Sequence, residues 1–66
     1  MVGMLLNLTN MKKFEIGQKV CSAINKNADA VIIESEYFDE YLNIWYFGIT
    51  YKNQFRYVPQ EFLILS

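Results

Sequence analysis

The stretch Tyr41-Leu42-Asn43-Ile44-Trp45-Tyr46-Phe47-Gly48-Ile49-Thr50-Tyr51-Lys52-Asn53-Gln54-Phe55-Arg56-Tyr57-Val58-Pro59 decides the fold. From Trp45 onward it alternates with a period of two, which is the mark of a strand with one covered face. Trp45, Phe47, Ile49 and Tyr51 share one face, and Tyr46, Gly48 and Thr50 share the other. A strand is therefore expected over 41–51, with its ring-rich face inward. A second strand over 55–58 returns beside it and ends at Pro59, which cannot donate to a ladder. The register of this hairpin depends on the loop. A two-residue loop, Lys52-Asn53, places Gln54 and Arg56 beside the buried rings. A three-residue loop, Lys52-Asn53-Gln54, places Phe55 opposite Tyr51 and Tyr57 opposite Ile49. Since a slip of one residue turns every side chain to the other face, the sequence favours the longer loop. Asn53 or Gln54 then takes the left-handed position.

Working outward, Phe14-Glu15-Ile16-Gly17 leads into a strand over 18–24, with Gly17 suited to a tight bend. Asn25-Lys26-Asn27-Ala28-Asp29 is a turn cluster, because Asn and Asp side chains bond nearby backbone. The next strand covers 30–36. Strict alternation turns Val31, Ile33 and Ser35 inward and Ile32, Glu34 and Glu36 outward. After Pro59, Gln60-Glu61 reads as one tight helical turn, and 62–65 as a short final strand. The expected fold is all-β: five short strands forming a small, partly open barrel, with a helical turn before the last strand.

The order of these segments resembles the SH3-like small barrels of the Tudor and KOW type. Phe14-x-Ile16-Gly17-Gln18-Lys19-Val20 resembles their opening, and Ala30-Val31-Ile32-Ile33-Glu34 their second strand. Residues 41–51 resemble the aromatic strand, and Val58-Pro59-Gln60-Glu61-Phe62-Leu63 the ending. The likeness covers residues 14–65. It places an SH3-like domain over 14–66, behind a flexible or short lead over 1–13. Ala30 departs from the Gly usual in the KOW motif. The Tudor likeness implies a possible aromatic cage from Tyr37, Phe38, Tyr41 and Tyr46, with Glu36 or Asp39 as its anion, because ring faces attract cations.

Composition narrows the function classes. A 66-residue chain holds one domain and hides only about 60% of its unfolded surface, so its core must be rich. Eleven aromatic residues supply this, nine of them from Tyr37 to Tyr57. Residues 1–10 are mildly apolar and too short for a membrane span. Met11 resembles a second start, so this segment reads as an alternative-start extension, a flexible lead or a short helix. The chain has no His and one Cys, Cys21. Ser-His and Cys-His nucleophile pairs and a zinc set are therefore excluded, and a lone thiol suits a reducing, cytoplasmic setting. Its three glycines are isolated and cannot form a phosphate loop. Glu34 and Glu36 form the one pair of acids on a shared strand face. An exposed face accounts for them better than catalysis, so no enzyme, cofactor or metal is expected.

The leading functional expectation is a non-enzymatic adaptor or accessory module that binds a protein through Tyr37, Tyr41, Tyr46 and Arg56, since Tyr and Arg dominate binding hot spots. The alternative is nucleic-acid binding through Lys19, Lys26, Lys52 and Arg56 beside stacked rings. Against it, the charge is uneven. Asp29, Glu34, Glu36, Asp39 and Glu40 occupy the middle with no Lys or Arg between Asn27 and Tyr51, leaving −5 there and +4 elsewhere. A phage or mobile-element inhibitor of a host protein is a third role consistent with the small size. Homo-oligomerisation remains open, and no membrane association is expected.

Overall fold

The computed structural model describes residues 11–66. The expectations for residues 1–10 lie outside the described residues. The described chain is all-β, with strands β1 (Lys19–Ser22), β2 (Val31–Ile32), β3 (Ser35–Asp39), β4 (Ile44–Tyr51) and β5 (Gln54–Pro59), a 3₁₀ turn (Gln60–Phe62) and β6 (Leu63–Leu65). They form two antiparallel three-stranded sheets, ordered β2-β1-β6 and β3-β4-β5. No described helix is long and apolar enough to cross a membrane.

The segment expected as one strand over 30–36 serves both sheets. Ile33 N–H donates to the Gln18 carbonyl and its own carbonyl accepts from Gly17 N–H, each at 2.9 Å, which ties it to the first sheet. One residue later, Glu34 N–H donates to the Gly48 carbonyl at 2.8 Å and joins the second. Ser35 also pairs with Gly48. Two residues of one strand thus face one of the other, a β-bulge that breaks alternation. Inward-facing Ile33 is followed by Glu36 opposite buried Phe47. The bulge corrects two expectations. Ser35 turns to the outer face, and Glu34 and Glu36 do not share a face.

The core is Phe14, Val20, Ile33, Phe47, Ile49 and Leu63, with Val31, Trp45 and Val58 packed against it. It draws on both sheets and on the segment before β1. Phe14 meets Phe47 edge-on with ring centroids 5.5 Å apart, a preferred aromatic geometry. Gly17, at φ 97°, makes the bend into β1 that its lack of a Cβ allows. Ser22 Oγ accepts from Ile24 and Asn25 N–H, and Asn25 Oδ1 from Asn27 N–H, so the polar cluster at 25–29 forms the expected turn.

The hairpin register differs from the expectation by one residue. Tyr51 pairs with Gln54, Thr50 with Phe55, Ile49 with Arg56 and Gly48 with Tyr57. The loop is the two-residue Lys52-Asn53, with φ of 51° and 66°. Positive φ at both positions is the type I′ turn, whose twist matches that of the flanking strands. Phe55 and Tyr57 therefore stand on the outer face, about half exposed, and Arg56 lies on the inner side. The two rings therefore do not join the core. Val58 and the first sheet already fill the inner side, while the outer side has room above Gly48.

Residues 11–13 are bound to the body of the domain through a buried polar side chain. Gln60 is 4% exposed. Its Oε1 accepts from Lys13 N–H and its Nε2 donates to the Met11 carbonyl, both at 3.0 Å. Lys12 Nζ lies 3.1 Å from Glu36 Oε1 and 3.2 Å from Glu15 Oε1, and 5.5 Å from the Trp45 ring centre. The hydrogen bond to Glu36, then that to Glu15, holds the Lys12 ammonium above the usual lysine value. Since the folded pKa is raised, the ammonium is fully charged at neutral pH, and the stability it contributes is lost as pH rises through the raised value.

Three outcomes follow from this geometry. Asn53→Gly should stabilise the protein by about 0.5–1 kcal/mol, seen as a rise of roughly 2–8 °C in Tm, because Gly carries no penalty at positive φ. Gln54→Gly, which a three-residue loop would favour, should lower Tm instead. Gln60→Ala should cost about 1–3 kcal/mol in urea unfolding, because it leaves the Lys13 donor and the Met11 acceptor without their partner.

Candidate functional site: an aromatic sheet face

The outer face of β3-β4-β5 is built by register. Ser35, Gly48 and Tyr57 form one row across it, and Tyr37, Tyr46 and Pro59 the next. Phe55 stands beside Thr50. Four rings run in contact across this face. Phe55 and Tyr57 meet edge-on at 5.3 Å between centroids, Tyr57 lies 6.1 Å from Tyr37, and Tyr37 lies 6.1 Å from Tyr46. Tyr37, Phe55 and Tyr57 are each about half exposed, and Tyr46 is half-buried. The platform is polar at one point, where Ser35 Oγ donates to Tyr57 Oη at 3.2 Å.

Gly48 is the floor of this cluster. It is buried although it lies on the outer face, because Phe55 and Ser35 cover it. A Cβ there would come 2.5 Å from Phe55 Cζ and 3.0 Å from Phe55 Cε1, and would also meet Ser35 Oγ. A strand glycine roofed by an aromatic ring is a recurring way of restoring packing where a side chain is missing. It also sets the height of the rings above the sheet.

The residues expected to bind a partner do not converge. Tyr37 and Tyr46 lie together on this face. Tyr41 sits in the β3–β4 turn, fully exposed, where Asp39 Oδ1 accepts from Tyr41 and Leu42 N–H. Arg56 lies on the opposite side of the sheet, bonded to the Gln54 side chain. The cage suggested by the Tudor likeness does not assemble either. Phe38 turns inward onto Trp45, with ring centroids 5.1 Å apart, and Glu36 is paired with Lys12. Phe55 and Tyr57 belong to this face, whereas the three-residue loop expected from sequence places both in the core. Their signal was the Lys52-Asn53 dipeptide, since a two-residue loop turns both rings outward.

The basic residues gather elsewhere. Lys52 and Arg56 line a groove of about 390 Å³ between the sheets, with Ile49, Tyr51, Val58 and Leu63 along its apolar wall. Lys26 lies in the β1–β2 turn, whose Asn25 and Asp29 reach the same groove, and Lys19 does not line it. Lys52 Nζ lies 5.4 Å from the Tyr51 ring centre. By register, the outer positions of β3, β4 and β5 carry no Lys or Arg.

Gly48→Ala should cost about 1–3 kcal/mol by lifting the Phe55 ring from its seat. In a Phe55→Ala background the same change should cost measurably less, which a double-mutant cycle by thermal unfolding would read.

No family model, curated protein or solved structure matches the chain, so the functional reading rests on the geometry of this face.

Proposed function

We propose that the chain is a non-catalytic protein-interaction module on an SH3-like barrel plan, docking a partner protein on the aromatic outer face of β3-β4-β5. The observation that carries this reading is the run of four touching rings on a sheet face turned away from the core. Buried there by a partner, each ring removes a large apolar area from water, while Tyr57 Oη keeps its hydrogen bond from Ser35. Strand order supports the barrel plan. Hydrogen bonding runs β6-β1-β2 in one sheet, the chain bends at 33–34 into β3, and β3-β4-β5 forms the other, with the 3₁₀ turn leading back to β6.

Nucleic-acid binding is the weaker alternative. Stacked bases need cations nearby to track the phosphates. Lys52 and Arg56 stand on the groove side of the sheet, away from the rings.

The test is capture of a protein partner from native lysate, with nuclease treatment in every arm. Tyr37→Ala should reduce capture by about 30-fold, the scale of a hot-spot residue, with Tm changed by only a few degrees. Tyr41→Ala, at the far turn, should leave it unchanged. Capture that survives Tyr37→Ala, or that nuclease abolishes, would overturn the reading.

A further inference from the structure

We propose that the free edge of β5 takes up an extended segment of the partner protein as an added antiparallel strand. The segment would place an acidic residue opposite Arg56, between two apolar residues opposite Phe55 and Tyr57. This inference rests on the protein-binding reading and names the chemistry of the partner.

The direction of the backbone groups follows from one hydrogen bond. The Gly48 carbonyl faces β3, where it accepts from Glu34 N–H. Successive residues of a strand turn their backbone groups to opposite sides. Phe47, Ile49 and Tyr51 therefore bond toward β5, and their partners Val58, Arg56 and Gln54 bond back toward β4. The N–H and C=O groups of Phe55 and Tyr57 consequently point away from the sheet, where no strand pairs with β5 among the described residues. Together they offer four ladder hydrogen bonds to an incoming strand. β5 is also the longest edge, with six residues against two in β2 and three in β6. Lys12 lies across Glu36 on β3, the other edge of the same sheet.

Side chains then set the pattern. Residues opposite Phe55 and Tyr57 would extend the aromatic face and cover rings that are half exposed. The residue between them would stand beside Arg56 on the groove side. Asp29 also lines that groove, but no carboxylate pairs with Arg56 among the described residues, and Lys52 adds a second cation, leaving two cations to one acid there. A carboxylate opposite Arg56 is therefore the complementary group. The same geometry argues against a second copy as the occupant. Symmetric pairing that lets Phe55 and Tyr57 exchange hydrogen bonds sets Arg56 directly opposite its own counterpart, a like-charge pair.

The experiment is selection of peptides from a random seven-residue display library on the purified chain, followed by amide exchange with the best synthetic peptide bound. The expected consensus is apolar–acidic–apolar, with Phe55 and Tyr57 amide exchange slowed at least tenfold. Arg56→Glu should weaken that peptide by about tenfold and shift the selected consensus to apolar–Lys–apolar. Three outcomes overturn the proposal: failure to enrich any consensus, a consensus indifferent to residue 56, or protection of these amides that appears only as a concentration-dependent dimer of the chain. If lysate capture still depends on Tyr37 while the selection fails, only the edge mode falls and the aromatic face stands.

Discussion

At Gly48 the β4 backbone accepts a hydrogen bond from Glu34, while its pairing position is held by Ser35. This two-against-one contact lets a single length of chain leave the first sheet at Ile33 and continue in the second as β3. It also reverses the inward-facing parity, so that Phe38 can pack on Trp45 although Ile33 lies inward too. The absent side chain at Gly48 matters equally on the other surface, where Ser35 and Phe55 close over it. One residue thus joins the sheet changeover to the seating of the exposed rings.

A small domain with six core residues among those described has little stability in reserve. Residues 11–13 compensate in part. Gln60 is buried with a partner for both ends of its amide, and Lys12 bridges Glu15 and Glu36 beside Trp45. A buried amide with both hydrogen bonds made avoids the desolvation cost that an unpaired one would carry. The 3₁₀ turn thereby anchors the segment before β1 as well as leading into β6.

In the proposed docking mode, the placement of Arg56 separates two kinds of contact on one hairpin. Phe55 and Tyr57 present rings to the outer face, while the residue between them presents a cation to the groove. A flat apolar surface alone discriminates poorly among partners, whereas a charge at a defined ladder position adds a specific requirement. Among the residues that the sequence suggests for partner contact, Tyr37 and Tyr46 meet on the outer face because they pair directly across β3 and β4. Tyr41 and Arg56 do not join them, since a turn and an opposite face separate residues that composition alone would group.

Alternation along β4 was enough to place Phe47 and Ile49 in the core and Tyr46 on the other side. Gly17 and Pro59 marked a bend and a strand end by backbone chemistry that any fold must respect. These properties are local, so sequence alone determined them. The facing of Phe55 and Tyr57, the outward turn of Ser35 and the separation of Glu34 from Glu36 were decided by the tertiary structure. Each depends on a register or a bulge, and those were set by the twist of the Lys52-Asn53 turn and the space above Gly48.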